Sequence, residues 1–203
     1  MQLEQLDRSW TLAINSLHSS FTDPIMWFFS DKKVWIPFYV ALVALMFWKL
    51  GWKKALVLLA AVALTVLCCD QFANLIKNWV ARPRPCNDAF MNAMGHRLIE
   101  GRSRSYSFFS AHAANAIAFA ICSAHALHPG TKRAKAKNGR DTLSTVYAVI
   151  ISIWAAMVGL SRVFVGKHYL GDVLVGFIAG GIIAFALTRL FDACAAKATR
   201  TAA

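Results

Sequence analysis

Acidic residues are scarce in this chain. Ten Asp and Glu stand against 22 Lys and Arg, a formal net charge of +12. Asp70, Asp88, Glu100 and Asp172 are scattered along the sequence, too thinly for a magnesium or two-metal centre. The five cysteines, Cys68, Cys69, Cys86, Cys122 and Cys194, fall mostly in apolar runs. Their odd number and spacing suit neither a disulfide framework nor a metal knuckle; packing explains four, and only Cys86 stands in a loop. The first residues, MQLEQLDRSW, lack the basic and apolar regions of a cleavable signal peptide, so the first membrane span is expected to serve as the insertion signal. No internal repeat, low-complexity tract or nucleic-acid module is present.

Apolar residues are abundant. At 203 residues, 58% hydrophobic content and a mean hydropathy of +0.48 point to one all-α domain, a polytopic membrane helix bundle. The basic residues fall between apolar runs, where anionic lipid and membrane topology account for them better than nucleic acid does.

Residues 1–20 place Leu3, Leu6, Trp10, Ala13 and Leu17 at helical spacing, which predicts an amphipathic helix lying in the membrane interface. Asp23-Pro24 reads as the N-cap and first residue of a second short helix through Phe29. Five spans are expected: 34–50, 55–76, 111–127, 143–164 and 169–191. Trp35 and Trp48 read as belt residues of the first span, and Gly180-Gly181 as a close-packing element of the last. The domain is thus expected to comprise interfacial helices at 1–30 and a bundle at 34–191, with a frayed tail. The turn at 128–141 is basic and featureless and reads as cytoplasmic by the positive-inside rule. The loop at 77–110 and the hairpin at 161–172 then lie on the opposite face. Asp70, Asn74 and Lys77 form a polar stripe at depth, read equally well as interhelical hydrogen bonding or as a wall of a polar site.

The hairpin SRVFVGKHYLGD, 161–172, gathers Arg162, Lys167, His168 and Asp172 where two spans meet water. Asp172 lies one helical turn from His168. A carboxylate there can hold one imidazole nitrogen and leave the other as a nucleophile, and Arg162 offers a fork suited to phosphate oxygens. An anchoring cluster at the membrane surface is the competing reading. Lys77 with Arg84, and Ser110 with His112, reach the same face. Three cations, two histidines and a carboxylate suit an anion with proton-transfer chemistry. Two histidines without a third ligand are too few for zinc, and the start of the helix at Ala111 adds backbone N–H groups for a phosphate.

The spacing Lys77-x6-Arg84-Pro85, then Ser110-Ala111-His112, then Ser161-Arg162-x5-His168-x3-Asp172 resembles the three-part signature of the type 2 phosphatidic acid phosphatase superfamily. That group holds integral membrane lipid phosphatases, with vanadium haloperoxidases and soluble bacterial acid phosphatases as relatives. The middle part reads Phe109-Ser110-Ala111-His112 where the family usually has Pro-Ser-Gly-His; the chemistry-bearing Ser and His are kept, and Ala adds a methyl near the phosphate.

The resemblance implies a bacterial inner-membrane enzyme that hydrolyses a lipid phosphate or diphosphate at the periplasmic face, without a metal or other cofactor. It implies that His168 attacks phosphorus, Asp172 orients its ring and His112 serves as acid and then base. Lys77, Arg84 and Arg162, with Ser110 and the amide of Ala111 or His112, would hold the phosphoryl oxygens. Arg82, Arg102 and Arg104 would meet a lipid headgroup or solvent. Small members act on undecaprenyl diphosphate, phosphatidylglycerol phosphate or lipid A phosphates, and the extra arginines favour undecaprenyl diphosphate or lipid A. A phosphotransferase using the same site and a non-enzymatic anionic-lipid-binding protein are the alternatives. The bilayer and the lipid substrate are the only partners the chain calls for.

Overall fold

The computed structural model describes residues 2–127 and 142–201, with side chains described for 2–127 and 144–193. The elements are α1 (Gln2–Asn15), α2 (Thr22–Ser30), α3 (Ile36–Leu50), α4 (Trp52–Val80), a single 3-10 turn (Pro85–Asn87), α5 (Ala89–Ala93), α6 (Ala111–Leu127), α7 (Thr142–Phe164) and α8 (Leu170–Thr201). The described residues contain no strand. The turn expected at 128–141 lies outside them. The tail expected to fray from Asp192 on is instead helical in its described residues: α8 continues to Thr201.

Helices α4, α7 and α8 are long and apolar enough to cross a membrane, and α3 and α6 are shorter apolar helices. At 15 and 17 residues, α3 and α6 rise only about 22–26 Å against a hydrocarbon core of about 30 Å.

The sequence AHAANAIAFAICSAHAL makes α6 the axis of the bundle. Its alanines leave little side chain between backbones, so α4, α7 and α8 all pack closely on it. Ala114, Ala118 and Cys122 meet Cys69 and Ala73 of α4 and Ala184 of α8. Ala116 and Ala120 meet Ile151, Trp154 and Ala155 of α7. The close stripe on α8 is Gly176 and Gly180 rather than the expected Gly180-Gly181. A Cβ at Gly176 would lie 2.6 Å from the carbonyl oxygen of Ser110, and one at Gly180 would strike that of Ala114, whereas Gly181 meets only Ile121, at 3.9 Å. Gly176→Ala is therefore expected to push α8 off the start of α6 and to cost about 1–3 kcal/mol, read as a lowered Tm in detergent.

Two local expectations are corrected. Helix α2 begins at Thr22 without a side-chain cap, because the Asp23 carboxylate instead accepts His18 Nδ1 at 2.8 Å. Trp35 is not a belt residue; it stacks among Phe28, Phe29, Phe38 and Trp154, while Trp48 stays exposed.

Helix α1 is inverted relative to a helix of a soluble protein. Leu3, Leu6 and Trp10 are exposed, while Thr11 and Asn15 are buried. The buried Thr11 and Asn15 are both hydrogen-bonded. Asn15 Nδ2 donates to the carbonyls of Phe164 and Arg97, at 2.8 and 2.9 Å. Thr11 Oγ1 accepts the Leu170 N–H at 3.0 Å, and Asp7 Oδ1 accepts the Gly171 N–H at 2.7 Å. Helix α1 thus caps the start of α8 with side-chain oxygens, satisfying donors that a helix N-terminus leaves open.

Candidate active site

The turn between α7 and α8 is built around backbone carbonyls. The Arg162 carbonyl accepts the N–H groups of Lys167 and His168 at 3.0 and 3.1 Å, folding the chain back at Gly166, whose φ is +83°. A Cβ there would lie 2.5 Å from the Arg97 carbonyl oxygen, so glycine serves both the backbone angle and the close approach.

Asp172, the third residue of α8, is fully buried. Its Oδ2 accepts the Tyr169 N–H at 3.0 Å, half of a capping box, and also the Ser107 hydroxyl. His168 Nδ1 lies 3.4 Å from the same oxygen. The opposite ring nitrogen, Nε2, lies 3.2 Å from Arg84 Nη1. With the proton on Nδ1, as this pairing dictates, Nε2 carries the free lone pair. Burial lowers the His168 pKa to about 4, outweighing the raising effect of Asp172, so the ring is neutral at physiological pH.

The cations surround this dyad. Arg84 is buried; its Nε and Nη2 donate to the carbonyl and hydroxyl of Ser105, at 2.8 and 2.9 Å, and Nη1 to the Lys167 carbonyl at 3.0 Å. Lys77 is buried near the C-terminal end of α4. Arg162 Nη1 donates to Ser30 Oγ and to Glu100 Oε1, the latter at 3.1 Å, and its Nε is buried without a partner. Ser110 is buried, its N–H bonded to the Asp172 carbonyl at 2.9 Å. Ser110 Oγ accepts the Ala113 N–H at 3.4 Å and so caps α6. Ala111 and His112 are half-buried in the first turn of α6. The three sequence segments therefore converge. Of the polar stripe on α4, Lys77 and Asp70 face inward, but Asn74 is exposed.

Three residues were given no site role, or a different one, by the sequence. Arg82 is engaged by two carboxylates of the protein itself. Its Nη1 donates to Asp172 Oδ1 at 2.8 Å and its Nη2 to Asp7 Oδ2 at 2.7 Å, and its guanidinium stacks 3.7 Å from the centre of the Tyr169 ring. Glu100 is not remote: it pairs with Arg162, with Lys167 Nζ at 3.9 Å. Lys167 donates to the Gly101 carbonyl, and burial lowers its pKa. Arg102 and Arg104 are exposed. Among the described residues, no group of three or more His, Cys, Asp or Glu is placed to hold a metal ion.

A buried cluster of cations around a neutral, carboxylate-oriented imidazole, set at one end of an apolar helical bundle, is the arrangement of a membrane-embedded phosphatase. Residues 52–195 match the PAP2 superfamily, and the chain belongs to that superfamily. It is 31% identical to a lipid A 4'-phosphatase of Bacteroides thetaiotaomicron, over 88% of this chain and 74% of that protein. It is 24% identical to a lipid A 4'-phosphatase of Porphyromonas gingivalis, over 92% of this chain and 73% of the relative. The fold is shared with a transmembrane PAP2-type phosphatidylglycerolphosphate phosphatase from Bacillus subtilis: TM-score 0.72, 22% identity, covering 94% of this chain and 87% of that one. LpxE of Aquifex aeolicus aligns with TM-score 0.61 and 19% identity, over 89% and 93% of the two chains. The protein is a multi-pass membrane lipid phosphatase, a phosphoric ester hydrolase.

Proposed function

We propose that this enzyme removes a phosphate from a lipid A-type saccharolipid through a phosphohistidine intermediate. The observation that carries the mechanism is the His168 ring, held by Asp172 on Nδ1 with Nε2 facing the Arg84 guanidinium. An incoming phosphoryl group takes the place of that contact, and Arg84 transfers its donor to a phosphate oxygen. Lys77 and the free Nε of Arg162 hold the other oxygens, helped by the Ala111 amide at the start of α6.

The Nε2 lone pair attacks phosphorus, and the bond from phosphorus to the lipid oxygen breaks. His112 gives that oxygen a proton. Water then attacks the phosphohistidine, His112 takes its proton, the P–N bond breaks, and its electron pair returns to Nε2. Asp172 stabilises the ring while it carries positive charge.

The substrate class rests on the two lipid A 4'-phosphatase relatives. Undecaprenyl diphosphate is the competitor to test beside it. We place residues 1–203 in one domain, with 1–30 at the interface and five spans within 34–191, the loop 77–110 facing the periplasm from the inner membrane. The exposed Leu3, Leu6 and Trp10 of α1 support the interfacial placement.

Phosphate release in detergent micelles from lipid A, undecaprenyl diphosphate, phosphatidylglycerol phosphate and phosphatidic acid tests the reading. Lipid A is expected to give the highest kcat/KM, and EDTA is expected to leave the rate within about twofold, since cationic side chains take the charge-neutralising role. A rate abolished by EDTA would contradict the side-chain mechanism, and a higher kcat/KM on another lipid would displace lipid A.

A further inference from the structure

Beside the reacting groups lies a cavity of about 470 Å³ between α2, α3, α4, α6 and α7. Its wall is mostly apolar; Ser30, Lys32, Asp70, His112 and Asn115, with the phenol of Tyr39, are its polar residues. His112 and Asn115 stand three residues apart on α6, a rise of about 4.5 Å, close to the width of one sugar ring. Asn115 Nδ2 donates to Asp70 Oδ1 at 2.8 Å. Among the described residues, Asp70 Oδ2 accepts no hydrogen bond. The mechanism above leaves this carboxylate unused.

We infer that Asp70, held in place by Asn115, binds the leaving group and selects one that bears a hydroxyl or amide N–H close to the scissile phosphate. The inference rests on the reading of His112 as the group that protonates the lipid oxygen. The atom that leaves phosphorus sits at His112, so the next few atoms of the leaving group enter the cavity at the level of Asn115 and Asp70. A carboxylate there accepts a hydrogen bond from a sugar or glycerol hydroxyl, or from an amide on a sugar ring. A diacylglycerol leaving group offers it nothing. A second phosphate meets a like charge, which disfavours a diphosphate. Lys32 is the other charged residue of the wall; it is exposed and carries the opposite charge. The Asp70–Asn115 bond also ties α4 to α6, so the test must separate selection from support.

Asp70→Asn retains an oxygen for Asn115 and removes the charge. The test compares kcat/KM of the full-length chain, wild type and Asp70→Asn, on lysophosphatidic acid, phosphatidic acid and undecaprenyl diphosphate in one detergent. The first two leaving groups differ at one glycerol position, a free hydroxyl in one and an acyl ester in the other, and the acyl chain itself acts alike on wild type and variant. The lyso-to-diacyl ratio is expected to fall about tenfold in the variant, the scale of a hydrogen bond to a charged acceptor. The ratio of undecaprenyl diphosphate to phosphatidic acid is expected to rise. Both are ratios within one protein, so a general loss from loosened packing, or from the field of Asp70 on Lys77, cancels. A lyso-to-diacyl ratio that stays within about twofold overturns the inference, as does loss of all activity, which would place Asp70 in the reaction itself. If the ratios move as expected and lipid A is not a substrate, the lipid A reading falls and the selection by Asp70 stands. If lipid A is hydrolysed and the ratios do not move, the reverse holds.

Discussion

His168→Ala is expected to lower kcat by about 10⁴-fold or more, the cost of removing a nucleophile on which both chemical steps depend. Binding is expected to survive, because Arg84 and Arg162 keep anchors other than the imidazole, and only the Arg84 contact to Nε2 is lost. Their anchors are the carbonyls of Ser105 and Lys167, Ser30 and Glu100. A lipid phosphate should therefore bind the variant within a few-fold of wild type, read by competition against a fluorescent lipid phosphate. The same histidine sets a pH dependence. Burial lowers its pKa from 6.5 to about 4, and a protonated ring has no lone pair for phosphorus. Neutral and nucleophilic above that value, the ring loses activity only as pH falls towards about 4. The acid limb of kcat/KM that disappears with His168 should sit there, not near 6.5. A limb near 6.5 would show the imidazole to be solvated in the working enzyme.

Arg82→Leu carries the second large effect. Arg82 bridges Asp172 and Asp7, two carboxylates from opposite ends of the chain, at 2.8 and 2.7 Å. Asp172 is fully buried, and Asp7 is 16% exposed. Removing the cation leaves both charges without their main counterion, and losing one partner of a buried pair costs about 3–5 kcal/mol. The Tm in detergent is expected to fall by several degrees. The kcat is expected to fall about 100-fold, because Asp172 is then free to turn from the imidazole it orients. Arg82→Lys restores the charge without the fork. It should recover most of the stability and little of the rate, since one ammonium cannot span both carboxylates and stack on Tyr169. Equal recovery of both would make Arg82 a counterion only.

The parts of the site legible in the sequence are those whose partners are close along the chain or share a motif. His168 and Asp172 are one turn apart, and the small-residue composition of α6 marks it as a packing axis. The parts that were not legible are long-range. Arg82 meets Asp172 across 90 positions and Asp7 across 75, and its neighbours Arg102 and Arg104 share its charge without its partners. Glu100 looks isolated in a basic loop, yet it lies beside Arg162, 62 positions away. The apolar spacing of α1 was legible, but its role was not. Its polar face, carried by Asp7, Thr11 and Asn15, braces the catalytic hairpin. Asp70 was legible as a polar residue at depth; only the fold shows that it reaches Asn115 while Asn74, one turn on, faces outward.

The central claim is that phosphate passes through His168. The measurement that tests it most directly uses His112→Gln and an aryl phosphate, whose leaving group departs without protonation. Water activation is then the slow step. Quenching in alkaline detergent, digestion and mass spectrometry should find phosphate on the peptide carrying His168, base-stable and acid-labile, in step with the first turnover of aryl alcohol. Release of aryl alcohol with His168 unmodified, or with the phosphate on another side chain, would contradict the mechanism.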